Sequence, residues 1–325
     1  MSRKATLQSI ADELHIAPST VSRALTGGKG VSERTRQRVM AVARRQGYVA
    51  KIIPAPRSVQ VAMLVEQRTL QEKRFWSHVM NGLISEISLH QGILSVVVTD
   101  AQSPRFSPSP LFEQVGKIDG IIAIDKTDPR AVAAVRQLGL PVVLAGYRPK
   151  LPDCDTVVND DHTSTYGMAN ELIRMGHREF GFVGYRDHPA FCLRYEGLLA
   201  AMVAAGITDH VPPQCEEPED IELRDLPTAL ICGNDAIAVK TINHLMGKGI
   251  RIPEDVSVVG FDDNAEELAR CPVPLTTLRV DRESLGRWAA RTLFQRLNNP
   301  DSPVVRVFMA TEPVWRQSCA GPRAK

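Results

Sequence analysis

The stretch IAPSTVSRALTGG, residues 16–28, combines side chains that could read the edges of nucleic-acid bases. An Arg can hold guanine through two parallel hydrogen bonds, a Ser hydroxyl reads bases ambiguously, and Pro offers only an apolar face to a thymine methyl group. Pro near the start and Gly at the end are also ordinary signals of a short helix. Two interpretations therefore stay open for this stretch alone: a surface helix, or a helix that enters DNA.

The distribution of charge along the chain bears on that choice. Residues 1–60 hold eleven Lys and Arg against three Asp and Glu, a net charge of +8, whereas the remaining residues carry a net charge of −6. Basic charge that is concentrated at one end of a chain indicates a polyanionic partner for that end. The N-terminal segment is therefore expected to meet a polyanion such as double-stranded DNA.

The remaining composition is that of a globular protein. The chain has 325 residues, of which 43% are hydrophobic and 23% charged, enough for two or three domains. No apolar leader opens the sequence and no run of about eighteen apolar residues follows, which predicts a cytoplasmic, nucleoid-associated protein. Its six Cys have no metal-ligand spacing, which predicts reduced thiols with neither a metal site nor a cofactor.

Motifs that accompany nucleotide-binding and hydrolytic enzymes are missing from the sequence. There is no G-x-G-x-x-G after a strand, no G-x-x-x-x-G-K-[ST], no H-E-x-x-H and no G-x-S-x-G. The segment GGKG at residues 27–30 follows a helix, so it is interpreted as a turn and not as a phosphate loop. We therefore expect the protein not to be an enzyme.

Three short helices are predicted for the N-terminal segment. Apolar residues at helical spacing predict a helix over residues 6–14, and the next begins at Pro18. The connection over residues 15–17 is so short that the two helices must cross steeply, as in a helix-turn-helix. Ser32 is a good N-cap for a third helix that ends near residue 46. Residues 1–50 are thus expected to form an all-α headpiece.

The remainder of the chain alternates β-branched runs with helical stretches. Such alternation predicts parallel sheets covered by helices on both faces, and this many strands suit two sheets better than one. Ligands of open α/β sheets bind at the carboxyl ends of the strands, so a cleft between two lobes is the expected site. The predicted strands are residues 59–66, 118–125, 141–146, 156–160, 179–185, 228–235 and 256–263.

The segment TLQSIADELHIAPSTVSRALTGGKGVSERTRQRVMAVARRQGY resembles the DNA-binding headpiece of the lactose-repressor (LacI/GalR) family. The resemblance implies two groups of contacts, and each has a simpler alternative. Arg23 could contact a phosphate or only solvent, and the hydroxyl groups could serve as helix caps. The implied base-reading residues are Pro18, Ser19 and Arg23, and the implied phosphate contacts are Thr6, Thr20, Ser22 and Thr35.

Later segments resemble the effector domain of the same family, which is similar to periplasmic sugar-binding proteins. They include ELIRMGHREFGFVG, GNDAIAVKTINHLMGKGIRIPEDVSVVGFDD and PLTTLRVDRESLGRWAARTLF. The resemblance implies two doubly wound parallel-sheet lobes after a linker at 51–60. The N-lobe takes 61–160 and about 280–308, the C-lobe takes about 161–279 and 309–318, and the tail takes 319–325.

The resemblance also implies effector contacts at Phe75, Asp160, Arg194, Asn234 and Asp262. Carboxylates, an amide and an Arg around one cleft suit a polyhydroxylated ligand such as a sugar or a sugar acid.

These assignments have alternatives of their own. Asn234 or Asp235 could merely cap the helix that follows, and Asp262 with Asp263 could merely form a turn. The basic residues Arg68, Lys73 and Arg74 favour an anionic ligand slightly, although they also fit a solvated loop. His177 is not expected to belong to a site.

Three segments depart from the family pattern. Pro residues at 104–110 shorten an expected helix, and the segment between Gln214 and Pro227 is too short for one that the family has. The linker from Tyr48 to Gln60 lacks the family's leucine and contains Pro54 and Pro56, which favours an extended strap over a hinge helix. Such a strap predicts an operator whose centre is spanned with little bending. The alternative is that Ile52 and Ile53 act as wedges in the minor groove, although they lie close to the headpiece.

The combined expectation is a ligand-responsive transcription factor, more consistent with a repressor, that binds a palindromic operator as a homodimer. The chain ends in VWRQSCAGPRAK, which has no leucine heptad, so a tetramer is not expected. Two alternatives stay open: a solute-binding protein of a transport system, and a DNA-binding regulator that has lost its response to ligands.

Overall fold

The computed structural model describes residues 6–25, 30–46, 48, 58–67, 69, 73–99, 117–125, 129–146 and 153–323. The chain forms two compact units, Met1–Ser58 and Val59–Lys325. The proline-rich segment 104–110 and linker residues 51–57 lie outside the described residues. In the described part of the chain, no helix is long and apolar enough to cross a membrane.

The first unit contains the three predicted helices, α1 (Leu7–Leu14), α2 (Pro18–Leu25) and α3 (Glu33–Arg45). Thr6 caps α1 because its hydroxyl accepts the backbone N–H of Ser9 at 3.1 Å. Ser32 caps α3 in the same way, through the N–H of Thr35 at 3.2 Å. The predicted positions of the three helices are therefore confirmed.

A small apolar core joins these helices. Ile10 of α1, Val21 and Leu25 of α2, and Val39 and Val42 of α3 are all buried against each other. Arg36 of α3 adds a polar link, since its Nη1 donates to the carbonyl oxygen of Ala24 at 3.0 Å. The position of α2 is thus fixed from both neighbouring helices.

The second unit contains two six-stranded sheets. The first sheet has the order β11-β5-β4-β3-β1-β2, and its neighbouring strands are all parallel. With helices α4 (Lys73–Leu89), α5 (Pro129–Arg136) and α10 (Arg282–Asn298), it forms what we call the first lobe. Its strands are β1 (Gln60–Glu66), β2 (Ile93–Thr99), β3 (Gly120–Ile124), β4 (Val142–Ala145), β5 (Asp155–Asn159) and β11 (Arg306–Met309).

The second sheet has the order β12-β10-β9-β8-β6-β7 and is parallel except for β12, which runs antiparallel to β10. With helices α6 (Asp161–Arg174), α7 (Pro189–Ala204), α8 (Asp235–Gly247) and the short α9 (Ala265–Leu268), it forms the second lobe. Its strands are β6 (Phe180–Val183), β7 (Gln214–Cys215), β8 (Ala229–Cys232), β9 (Ser257–Asp262), β10 (Thr276–Arg279) and β12 (Glu312–Val314).

The chain passes between the two lobes three times. It leaves the first sheet after β5, returns between β10 and α10, and leaves again between β11 and β12. Met309 belongs to β11, so the last passage begins one residue later than the expected boundary at 309. Crossings of this kind place the carboxyl ends of both sets of parallel strands around one cleft.

Each of the seven predicted strands is present, and five further strands join them. The expectation of seven was wrong. Strands β7 and β12 have only two and three residues, too few to show a pattern, whereas β2 was missed despite its seven residues. The segment between Gln214 and Pro227 was predicted to be too short for a helix that the family has. It forms two single-turn 3₁₀ helices, Pro218–Asp220 and Leu223–Asp225.

Candidate functional site

Helix α2 presents one polar face to solvent in the first unit. Pro18, Ser19 and Arg23 are exposed, whereas Val21 and Leu25 on the other side are buried. Arg23 Nε donates to the carbonyl oxygen of Ser19 at 3.3 Å, so the guanidinium lies along its own helix. The three residues that the sequence assigned to base reading thus share an accessible face.

The four hydroxyl residues assigned to phosphates are spread over all three helices. Thr6 caps α1, and the Thr35 hydroxyl lies 2.8 Å from that of Ser32. Both hydroxyls therefore act as cap partners, as the simpler interpretation expected. Thr20 and Ser22 are half-buried on α2.

A cavity lies between the two lobes. Arg194, Asn234 and Asp262 contribute to its wall from the second lobe, and they come from α7, the end of β8 and the end of β9. Three of the five residues assigned to the effector are thus brought together at the carboxyl ends of parallel strands. From the first lobe, Trp76 and Asp125 line the same cavity.

Arg194 is already engaged within the protein. Its side chain is buried, and Nε and Nη2 approach Asp161 Oδ1 at 2.9 and 2.7 Å. Nη1 donates to the carbonyl oxygen of Gly233, and the guanidinium carbon lies 3.4 Å from the centre of the Phe261 ring. Burial raises the pKa of the Asp161 carboxyl, and the charge of Arg194 opposes that rise.

Asn234 caps α8, because its Oδ1 accepts the N–H of Ile237 at 3.0 Å. The capping interpretation of this residue is therefore present in the structure. The cap uses only the oxygen, so the amide N–H groups remain suited to a ligand on the cavity side.

Asp262 lies in a turn of unusual backbone geometry. Its φ is 118° and that of Asp263 is 52°, values that residues other than Gly adopt rarely. Burial raises the pKa of the Asp262 carboxyl to about 6, while the charges of Arg194 and Arg282 lower it.

A second cavity continues from the first and has a more apolar wall. It shares Asp161 and His188 with the first cavity and adds Val158, Leu193 and Phe308. Asp160, a fourth residue assigned to the effector, lines this second cavity and caps α6 through the N–H of Thr163 at 3.2 Å. The fifth, Phe75, is in α4, but its side chain lies outside the described residues.

Two aromatic walls of the first cavity were missed from the sequence. Trp76 is one residue beyond the predicted Phe75, and Gly146 permits its position, since a Cβ there would lie 2.5 Å from the Trp76 ring. In the second lobe, the ring of His188 stacks on that of Phe191, with the ring centres 4.0 Å apart. The adjacent aromatic residues at 75 and 76 were the available signal for Trp76, whereas His188 has none.

Asp161 was also missed, although it follows the predicted Asp160 directly. Its role depends on burial beside Arg194, which a sequence does not display. His177, by contrast, is fully buried between the Thr228 hydroxyl at 3.0 Å and the Ala320 carbonyl at 2.8 Å. Burial lowers the pKa of this imidazole. Within the described ranges, no group of three or more His, Cys, Asp or Glu could hold a metal ion.

Comparison with known proteins agrees with both units. The model of bacterial regulatory proteins of the lacI family matches residues 6–51, and the model of the periplasmic binding protein-like domain matches residues 169–319. The HTH-type transcriptional repressor PurR of Haemophilus influenzae is 28% identical over 339 residues, which cover 97% of this chain and 98% of that protein. The chain belongs to the LacI family of bacterial regulatory proteins.

Two further proteins are similar to this chain over almost its whole length. The ribose operon repressor of Haemophilus influenzae is 27% identical over 332 residues, covering 97% of this chain and 98% of that protein. The crystal structure of the lac repressor dimer bound to operator and the anti-inducer ONPF matches with a TM-score of 0.70. It is 19% identical and covers 97% of this chain and 99% of that one, a likeness of fold. The protein is thus a transcriptional regulator with a helix-turn-helix headpiece and two parallel-sheet α/β lobes.

Proposed function

We propose that this regulator is a repressor that binds its operator through α2 and releases or tightens it in response to a small polyhydroxylated effector. The observation that carries the proposal is the convergence of Arg194, Asn234 and Asp262 on one cavity with Trp76 opposite. Repression is supported by the names of the relatives, which include PurR and the ribose operon repressor. A regulator of this kind acts on DNA in the cytoplasm and carries out no catalysis.

A neutral sugar fits this cavity better than a sugar acid. The described wall contains three carboxyl groups, Asp125, Asp161 and Asp262, and the guanidinium of Arg194 is already paired with Asp161. A ligand carboxylate would therefore meet mainly negative charge, whereas hydroxyl groups can donate to those carboxylates. Trp76 can cover the apolar face of a sugar ring. The side chains of Lys73 and Arg74, which favoured an anionic ligand, lie outside the described residues, as does Arg68.

Pro18, Ser19 and Arg23 are proposed to contact bases, and Thr6, Thr20, Ser22 and Thr35 to contact phosphates. The exposed face of α2 supports the first group, since a major groove admits one helix face. The extended-strap interpretation of the linker adds that changes to the central base pairs of a palindromic operator have little effect.

A homodimer is proposed from the exposed edge of the first sheet. Among the described strands, β2 is the last of this sheet, and Val96 and Val98 on one face of it are 45% and 44% exposed. Ile93, the first residue of β2, and Leu89, the last residue of α4, are 50% and 77% exposed. An apolar edge strand of this length invites association, and a second copy would cover it.

The proposal is tested by a gel-shift titration of the full chain on the region upstream of its own gene, with and without sugars. Calorimetry with D-ribose, D-glucose, a sugar phosphate, a sugar acid and a nucleobase identifies the ligand class. We expect a neutral sugar to bind and to change the affinity for DNA. Binding of sugar without DNA binding would support a solute-binding protein, and DNA binding without any ligand response would support a regulator that has lost its effector. Binding of the nucleobase alone would overturn the sugar assignment.

A further inference from the structure

A buried carboxyl group lies directly behind two of the effector residues. Asp235 opens α8 immediately after Asn234, and its side chain is fully buried. A buried carboxyl group is costly unless it is hydrogen-bonded, so its partners indicate what it holds in place.

Asp235 connects the turn after β9 to the neighbouring strand. Its Oδ2 accepts the backbone N–H of Asn264 at 2.7 Å, and its Oδ1 accepts the hydroxyl of Thr277 in β10 at 2.6 Å. Gly260 of β9 makes room for it, because a Cβ at that position would lie 2.2 Å from Asp235 Oδ1. The carboxyl group therefore joins the ends of β8, β9 and β10.

The turn that Asp235 holds contains Asp262 and Asp263, both with positive φ. Side chains with a Cβ adopt such angles only where the surroundings impose them. Asp263 is held by Arg279 at 2.7 Å and by Arg316 at 2.6 Å, and the Asp262 carbonyl accepts Arg282 Nη2 at 2.7 Å. The N–H at the far end of the turn, on Asn264, is held by Asp235.

We propose that Asp235 is a positioning residue of the effector site, which fixes the turn so that the Asp262 carboxyl faces the cavity. Asp235 itself does not line either cavity described above, so it acts through Asp262. The effect of Asp235 on effector binding rests on the proposed function, whereas the hydrogen bond by which Asp235 holds the turn does not.

Electrostatics supports this role. Burial, followed by the negative charge of Asp262, raises the pKa of Asp235 to about 7, while the hydrogen bonds from Thr277 and Asn264 lower it. The negative charge of Asp263 also raises the pKa of Asp235. The charge of Asp235 in turn raises the pKa of the Cys232 and Cys271 thiols. The strain and repulsion within this cluster persist because the two hydrogen bonds hold the carboxyl group where it is.

The first test needs no effector. Amide hydrogen exchange at Asn264 is compared in the full-length chain, Asp235→Ala, Asp235→Asn and the control Asp209→Ala, an exposed residue of the same lobe. We expect exchange at least tenfold faster in Asp235→Ala, near wild-type exchange in Asp235→Asn, whose amide oxygen can still accept the N–H, and no change in the control. Exchange in Asp235→Ala within twofold of the wild type would overturn the proposal.

The second test separates positioning from general damage. With D-ribose as the probe, or D-glucose if that binds more tightly, we expect Asp235→Ala to bind at least tenfold more weakly and Asp235→Asn to recover to within threefold. The control Asp209→Ala should leave both the affinity for sugar and the affinity for operator DNA unchanged. A parallel loss of sugar and DNA affinity in Asp235→Ala would overturn the proposal.

The role of Asp235 can still be decided if Asp235→Ala does not fold or if the wild type binds no sugar. If Asp235→Ala does not fold, Thr277→Val removes one of the two hydrogen bonds, and exchange at Asn264 should rise about threefold; no rise would overturn the proposal. If the wild type binds no sugar, the proposed effector class fails, and the exchange measurement alone still decides the role of Asp235.

Discussion

The headpiece and the cleft use functional side chains in opposite ways. On α2, Pro18, Ser19 and Arg23 are exposed to solvent, and the Arg23 guanidinium donates a hydrogen bond to a carbonyl group of its own helix. In the cleft, Arg194 is buried with its donors on Asp161 and Gly233, and Asp262 belongs to a turn held by its neighbours. A long polyanion supplies many contacts to accessible side chains, whereas a small ligand needs groups that are ordered before it arrives. Recognition and stability should therefore be separable in the headpiece and coupled in the cleft.

The largest effect is expected at Arg194. Its replacement by Ala leaves Asp161 buried without its charged partner, which should lower the free energy of unfolding by about 3–5 kcal/mol and abolish sugar binding. Chemical denaturation and calorimetry measure the two losses. Arg174→Ala breaks an exposed ion pair on α6 and should cost about 0.5 kcal/mol or less. A loss below about 1 kcal/mol for Arg194→Ala would show that the cleft is not coupled to stability.

The proposed dimer contact on β2, at the edge of the first sheet, is exposed to solvent as the recognition residues of the headpiece are. Val96→Glu would place a charge in the proposed dimer contact and raise the dimer dissociation constant at least 100-fold, or about 3 kcal/mol. Light scattering at micromolar concentration should then report a monomer. Val203→Glu, at a more exposed position on α7, should leave the mass unchanged. A dimer in both variants would move the interface elsewhere, and a wild-type tetramer would contradict the proposed dimer.

In the headpiece, Arg23→Ala should remove about 1–3 kcal/mol of discrimination between operator and random DNA while leaving the unfolding midpoint unchanged. Arg44→Ala should instead weaken binding to both kinds of DNA about equally. Titrations of both variants on the two DNA molecules give the comparison. Equal losses on both DNA molecules for Arg23→Ala would assign it to phosphates.

The smallest effect is a pH dependence centred on Asp235. Its pKa is about 7 in the folded protein, against about 3.9 for an unfolded Asp, so the folded state holds a proton that the unfolded state releases between these values. The free energy of unfolding therefore falls as pH rises through this range. Asp235→Asn should remove that fall, so its stability relative to the wild type should increase between pH 4 and pH 8. Urea denaturation of both proteins at several pH values measures it. The same difference at every pH would exclude titration of Asp235.

Periodicity predicted most of the fold, because long elements repeat their apolar residues many times. The helices of the headpiece and seven of the strands were found in this way, while β7 and β12 are too short to carry a period. Strand β2 was missed although it has seven residues. In the cleft, the family resemblance identified Arg194, Asn234 and Asp262 by position. Trp76 was missed by one residue, since a sequence gives the start of α4 too loosely to fix the rotation of its side chains.

Asp161 and Asp235 could not be predicted for a different reason. Each is the first residue of a helix, where an acid is ordinary, and each follows a residue that already served as the cap. What distinguishes them is a buried partner from a distant part of the chain: Arg194 for Asp161, and Asn264 with Thr277 for Asp235. Contacts of that kind exist only after folding.

The three passages of the chain between the lobes also constrain how the gene can be divided. The sheet of the first lobe has β11 as an edge strand and that of the second lobe has β12, and both strands lie within residues 306–314. A premature stop codon before residue 306 therefore removes an edge strand from both lobes at once. Neither lobe is a contiguous piece of sequence, so recombination can exchange the headpiece as a block, while the two lobes must be inherited together.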